Sequence, residues 1–405
     1  MNWIKNSKVF VLADQIVFSG TSFVLTILIA RHLHVSDFGI YSAYVLVIYL
    51  GISAISAWTT QIFQVASDRS VSYISFVYWL HLILLTLSGL LLIVGDYLLQ
   101  FNISKIVLVF GWGFVMYDFS RKILLGLDKT FATLILDFFT SVLMVGSFFV
   151  FKYLGTKNLN IMLTYFSGVY FLSILYTVYM TRPFFLKMEK LETYLKRHVL
   201  GGKWLFFTAV SQWWSGNLFV VASGIYLGTA ALGALRLGQS LFGVLNVLLQ
   251  TFENYILPQT ALKMQQSQSI GIAYLKEMNQ KLAYVFIPVL LLVFIFSSFL
   301  ITLAGGKDFT EYAFVLKGLS ILYIFILLSQ PLRFYFRSMQ MNSHFFYAYF
   351  ISLVFALSTS HWLISAYGLQ GAIVGLIGSQ ILLLTYWTII LQLKNINLWK
   401  SSTSY

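Results

Sequence analysis

Twelve apolar stretches run through this sequence, and its basic residues collect in every second gap between them. The stretches cover 9–30, 38–60, 73–95, 103–120, 131–151 and 161–181, then, after a polar break, 204–226, 231–253, 282–304, 312–329, 345–367 and 371–393. About 20 residues at about 1.5 Å of rise cross a hydrocarbon layer of roughly 30 Å, and a barrel strand needs only about half that number. Helices are therefore the expected spanning elements, because a helix satisfies its own backbone where no water reaches it. With 59% hydrophobic and 10% charged residues and a mean hydropathy of +0.83, the chain holds more apolar surface than a soluble core can bury. The expected fold class is all-α, a polytopic membrane protein of about twelve transmembrane helices.

The charges orient it. Of the 26 Lys and Arg, only Arg31, Lys152, Lys157 and Lys307, with Lys105 at the outer edge of the fourth stretch, fall on the odd-numbered side, and only Arg236 and Lys317 fall further inside an apolar stretch. The remainder sit in the even breaks and near the two ends. The positive-inside rule then predicts cytoplasmic termini. A net charge of +13 needs no nucleic-acid partner, since a basic face beside anionic membrane lipids accounts for it. The first stretch ends in Ala30-Arg31-His32 without a small-residue cleavage pattern, so it reads as a retained helix rather than a secretory signal.

The break at 182–203 divides the chain into a six-span bundle at 1–181 and another at 204–405. Phe184, Met188, Leu191 and Leu195 recur there at helical spacing with Lys187, Lys190, Lys196 and Arg197 between them, which predicts an amphipathic linker helix on the cytoplasmic surface. The halves begin alike: Ser19-Gly20-Thr21 lies mid-span in the first stretch and Ser215-Gly216-Asn217 in the seventh, followed by Phe38-Gly39 and Leu232-Gly233. Six spans per half make these parallel repeats, an arrangement that sets two bundles around a central cavity for alternating access. Pro288 falls inside the ninth stretch and predicts a kink; Pro183, Pro258 and Pro331 mark the cytoplasmic ends of the sixth, eighth and tenth.

Several chemistries are excluded. Gly201-Gly202-Lys203-Trp204 and Gly305-Gly306-Lys307-Asp308 lack the hydroxyl and the preceding glycine of a phosphate-cradling loop, so ATP hydrolysis is not expected. Without cysteine, and with six histidines in no ligand spacing, neither a metal site nor another cofactor is indicated. A membrane-embedded polymerase or glycosyltransferase generally carries a large outer loop or a carboxylate cluster at one interface. Here the outer breaks are short, which favours a carrier over an enzyme.

Ionisable groups inside apolar spans are expensive and are functional candidates by default. The first half offers Asp14, Asp118 and Asp137, each within roughly 10 Å of the cytoplasmic boundary. Two roles are open to them: pairing with Arg121 or Lys122, or taking up a proton or cation during transport. The second half offers Arg236 and Lys317 near the outer face. A guanidinium in a cavity suits phosphate or pyrophosphate oxygens, while an ion pair or snorkelling to the interface is the competing role. Trp213 and Trp214 lie mid-span beside Gln212 and Asn217, where an indole and an amide can line a path for sugars. Glu253 reads as an interfacial residue.

The run Ala30-Arg31-His32-Leu33-His34-Val35-Ser36-Asp37-Phe38-Gly39-Ile40-Tyr41, preceded by Leu12-Ala13-Asp14-Gln15 and Gly20, resembles the opening of the polysaccharide-exporter and O-antigen flippase (Wzx) group. That group belongs to the superfamily that also holds multidrug extruders and the lipid II flippase. Ala30-Arg31, Leu33 and Phe38-Gly39-Ile40-Tyr41 match its Ala-Arg-x-Leu-Gly-Pro-x-x-Phe-Gly-x-Tyr pattern, whereas His34 and Val35 replace Gly-Pro. A weaker similarity runs through Arg121-Lys122, Gly126, Asp128, Ala132 and Asp137. The resemblance implies a flippase in the bacterial inner membrane that moves undecaprenyl-pyrophosphate-linked oligosaccharide to the periplasmic leaflet, with no prosthetic group. It implies Arg31 as a further substrate-binding candidate, a lipid-linked oligosaccharide substrate, and a polysaccharide polymerase and chain-length regulator as partners. A cation-coupled multidrug extruder of the same fold is the first alternative, and a membrane polysaccharide polymerase the second.

Overall fold

In the computed structural model, residues 7–100, 103–183, 190–339 and 341–396 are described, and among them every regular element is helical. The helices are α1 (Ser7–His32), α2 (Val35–Trp58), α3 (Thr60–Val65), α4 (Val71–Leu99), α5 (Lys105–Gly126), α6 (Thr130–Tyr153), α7 (Leu159–Thr181), α8 (Leu191–Leu227), α9 (Thr229–Gln266), α10 (Gln268–Ile295), α11 (Ser297–Gly305), α12 (Ala313–Ser338) and α13 (Asn342–Leu393), with a 3-10 turn at Lys307–Tyr312 before α12. Nine candidate spans among the described residues are long and apolar enough to cross a membrane, which makes the chain a multi-pass membrane protein. One of these, Ser343–Leu393, contains the last two apolar stretches. The fourth and seventh stretches lie in α5 and α8, long helices whose charged and polar residues lower their hydropathy.

The last two spans are separated at Gly368, whose φ of 57° and ψ of −140° suit glycine and break the helix inside α13. The chain reverses there: Trp387 packs on Phe345 and Tyr349, and His344 Nδ1 lies 3.0 Å from the Tyr386 hydroxyl. The ninth stretch also divides, but at Phe296, which ends α10, and not at Pro288, which lies within it. Pro258 and Pro331 likewise sit inside α9 and α12, because both helices continue past the apolar stretch.

Two compact units divide inside α8, between Val210 and Ser211, and Leu33–Ile40 at the start of α2 clusters with the second unit. In the first unit α1 packs on α6, and α5 on α7, α3 and α6. His32 closes the far end of α1 against Phe148 and Phe151 and reaches the Thr156 carbonyl oxygen at 3.1 Å. The second half of the expected linker helix forms the first turns of α8. Tyr194 and His198 there are buried: His198 Nε2 lies 2.8 Å from the Tyr73 hydroxyl, and its Nδ1 2.7 Å from the Trp58 carbonyl oxygen. Phe184, Lys187 and Met188 of that linker lie outside the described residues.

In the second unit α9, α10 and α12 pack on one another, and α12 packs on α13. The two apolar-glycine steps meet here. A Cβ on Gly39 would lie 1.8 Å from the Thr229 carbonyl oxygen, and one on Gly233 would lie 3.1 Å from the Gly39 Cα, so only glycine admits this approach. The mid-span Gly20 and Gly216 face open space instead.

Candidate functional site

Two of the three acidic candidates of the first unit converge on one cation. α1 carries Asp14, α6 carries Asp137, and the last turns of α5 carry Arg121 between them. Arg121 Nη2 donates to Asp14 Oδ2 at 2.8 Å, and its Nε donates to Asp137 Oδ2 at 2.5 Å. The Tyr117 hydroxyl, one turn earlier on α5, donates to the other Asp137 oxygen at 2.7 Å, and the guanidinium lies 3.8 Å from the centre of the Phe18 ring. Only 2%, 9% and 0% of the Asp14, Arg121 and Asp137 side chains are exposed, so this is a closed cluster with two carboxylates on one guanidinium. Asp14 Oδ1 is buried with no hydrogen-bond partner. Asp118 does not join it; spaced four residues from Lys122, it pairs with that ammonium at 2.6 Å, and Lys122 also donates to Ser56.

The basic candidates of the second unit separate. Arg236, on α9, lines a cavity of about 350 Å³ together with Asn217, Gln239, Asn246, Tyr349 and Gln380. Its Nη1 donates to Gln239 Oε1 at 3.0 Å, one turn along the helix. Asn217 shares that cavity and donates to the Trp213 carbonyl oxygen at 2.9 Å. Trp213 itself is half-buried, edge-on to Trp214 with ring centres 5.1 Å apart, and is not among the lining residues. Lys317 lies elsewhere: its side chain is exposed on α12, with Nζ 5.9 Å from the centre of the Phe294 ring, an arrangement suited to snorkelling. Arg31 is exposed in the last turn of α1.

A second cavity, of about 620 Å³, continues from the first, and Asn246, Ile326, Tyr349, Gln380 and Leu383 line both. It holds a charge cluster that the reading of apolar stretches misses. Glu253 of α9 contacts Arg337 Nη1 and lies 3.6 Å from Arg333 Nη2, both arginines on α12. The signal is present as Arg333 and Arg337 at i,i+4 spacing, one helical face, just past Pro331. Both belong to a basic break, where cations are expected and attract no functional reading. Arg236 and Glu253 stand seventeen positions apart on α9, about 25 Å at about 1.5 Å per residue, so cationic groups stand at both ends of a polar path through this unit. Between them Ser215 donates to Ser352 at 2.8 Å and Gln380 to Ser329 at 2.9 Å.

The class of protein that these features define is an all-helical multi-pass membrane protein with one sealed and one open charge cluster. Solved structures make that more particular. The chain superposes on the lipid II flippase MurJ in an inward closed conformation with a TM-score of 0.68 at 13% identity, over 95% of this chain and 87% of that one. It matches an inward-facing multidrug resistance MATE family transporter of the MOP superfamily with a TM-score of 0.63 at 13% identity, over 98% and 96%. A MOP superfamily transporter from Pyrococcus furiosus gives 0.54 at 14% identity, over 98% and 94%. The fold is therefore that of MOP superfamily transporters. No protein-family model matches the sequence, and no curated protein matches it.

Proposed function

We propose that this protein is a flippase that carries undecaprenyl-pyrophosphate-linked oligosaccharide repeat units from the cytoplasmic to the periplasmic leaflet of the bacterial inner membrane by alternating access. Both termini are then cytoplasmic. The observation that carries this reading is Arg236, a guanidinium a few residues inside an apolar stretch that lines a cavity otherwise walled by amides, hydroxyls and apolar groups. A guanidinium offers a planar fork of donors to pyrophosphate oxygens, and Asn217 and Gln239 beside it supply groups that exchange hydrogen bonds with sugar hydroxyls. Trp213, a turn from Asn217, offers a face for a sugar ring once rotated, and the polyprenyl tail stays in the surrounding lipid. The likeness to a lipid II flippase and the sequence resemblance to O-antigen flippases both support this substrate class. Polysaccharide polymerase and chain-length regulator follow as the proteins that consume the product.

The closed cluster of Asp14, Arg121 and Asp137 favours ion-gradient coupling, since it holds one carboxylate more than its guanidinium neutralises, the stoichiometry of a single proton or cation. The same cluster supports the second reading, a cation-coupled multidrug extruder, in line with the MATE likeness. Arg236→Ala with Asp14 and Asp137 intact separates the two. As a flippase the variant loses export of surface polysaccharide by about tenfold or more, the value of one charge-assisted contact, and lipid-linked repeat units accumulate on the cytoplasmic leaflet. Full export by the variant, or drug sensitivity with normal polysaccharide on deletion of the gene, rejects the flippase.

A further inference from the structure

The cluster of Glu253, Arg333 and Arg337 faces a cavity, and its composition specifies what the cavity takes. Two guanidiniums on one carboxylate leave one positive charge over, and arginine cannot be neutralised by losing a proton. Donors are in surplus as well. Arg333 Nε and the indole Nε1 of Trp387, a residue only 1% exposed, are buried without an acceptor. Both residues line the 620 Å³ cavity. Gln330, 4% exposed in the same wall, presents the converse, a buried Oε1 with no donor. A ligand rich in acceptor oxygens answers the surplus positive charge that Arg333 and Arg337 bring to the cavity, and hydroxyl groups on it suit the amides and hydroxyl of Gln250, Ser329 and Gln380 in the same lining; a cation or a purely apolar molecule leaves that positive charge unanswered.

We propose that this cavity is a second binding site, for a phosphoester bearing hydroxyl groups, and that Glu253 is its resident stand-in anion. In the present structure the Glu253 carboxylate occupies the arginine fork. An arriving phosphoester takes over the two guanidiniums, its oxygens matching their planar donors, and displaces the carboxylate. Release reverses the exchange, with Glu253 returning to Arg333 and Arg337 so that neither cation is left bare in the cavity. The geometry therefore makes binding competitive and reversible, which a carrier requires and a pair of arginines alone does not provide. The inference rests on the proposed flippase reading, in which this site receives the headgroup at the cytoplasmic end of the path and passes it to Arg236.

The test uses the full chain in uncharged detergent and three probes: a farnesyl-pyrophosphoryl sugar, a water-soluble sugar phosphate, and phosphatidylglycerol, each titrated calorimetrically. Glu253→Gln keeps shape but removes the competing charge, so it binds the farnesyl-pyrophosphoryl sugar about tenfold more tightly, while Arg337→Gln binds it about tenfold more weakly, each the size of one charge-assisted contact. A gain in affinity cannot arise from misfolding, so Glu253→Gln decides even where Arg337→Gln is unstable. The same pair of shifts with the soluble sugar phosphate supports the site and assigns its ligand to the headgroup alone. Binding of phosphatidylglycerol in place of both sugars overturns the headgroup assignment, and unchanged affinity in Glu253→Gln overturns the stand-in role. The outcomes are separable from the proposed function: full export by Arg236→Ala with the Glu253 shift intact leaves this site standing and rejects that reading. Lost export with no Glu253 shift does the reverse.

Discussion

The two units hold charge clusters that are opposite in sign and differ in access. In the first, one arginine, Arg121, sits between two acids; in the second, one acid, Glu253, sits between two arginines. The first is sealed, its three side chains at most 9% exposed, and Tyr117 and Phe18 complete the shell around it. The second opens on a cavity, with Glu253 at 13% and Arg337 at 40% exposed. The same three-charge arithmetic thus yields a sealed site with one carboxylate in excess in one place and a ligand-ready surface in the other. What separates them is not the number of charges but how far their side chains are exposed.

The largest test of that contrast is Arg121→Gln. It removes the cation bonded to both Asp14 and Asp137 and leaves two carboxylates facing each other away from water. Breaking a buried ion cluster by deleting one partner costs about 3–5 kcal/mol, because the remaining charge is uncompensated. Thermal unfolding of the solubilised chain should shift sharply downward. The triple variant Asp14→Asn, Arg121→Gln, Asp137→Asn should recover much of the loss by removing all three charges together. An unaltered unfolding midpoint in Arg121→Gln would show that the cluster is not sealed from water as described.

Asp137→Asn comes next. Asp14 still neutralises Arg121, and the Tyr117 hydroxyl keeps the amide oxygen as an acceptor, so the loss is confined to one charge-assisted contact, about 1.5–3 kcal/mol. A loss equal to that of Arg121→Gln would mean that Asp14 contributes nothing to holding the arginine.

The spans were legible because hydrophobicity is set locally, residue by residue, and lipid tolerates few exceptions. Helix ends were less so: α9 runs on to Gln266 and α8 starts at Leu191, since polar residues continue a helix as readily as apolar ones wherever their backbone bonds are met. The charged candidates show the same limit. Asp118 pairs with Lys122 as an i,i+4 reading allows, but which of Arg121 and Lys122 takes Asp14 and Asp137 depends on the facing of three helices that no spacing specifies. Lys317 and Arg236 look alike in sequence, each a few residues inside an outer boundary. Only packing separates the exposed ammonium over Phe294 from the guanidinium that lines a cavity. Glu253, Arg333 and Arg337 are hidden for the opposite reason: lying at span ends, they obey the sorting of charges and do not stand out from it.

The smallest expected effect is the most discriminating for the comparison. Glu253→Gln also removes the central charge of a three-charge cluster, as Arg121→Gln does, and it leaves two like charges one helical turn apart on α12. Were the two clusters equivalent, the cost would again be several kcal/mol. Arg333 and Arg337 are 28% and 40% exposed, however, so water in the cavity screens them, and partly exposed ion pairs of this kind contribute about 1 kcal/mol or less. The variant should unfold within a few degrees of the parent chain, and added salt should narrow even that difference, because screening substitutes for the missing carboxylate. A midpoint that falls as far as that of Arg121→Gln would show that the arginines depend on Glu253 for stability. Glu253 would then be a fixed counter-ion rather than an exchangeable one, and the contrast between a sealed and an open cluster would fail at its central point.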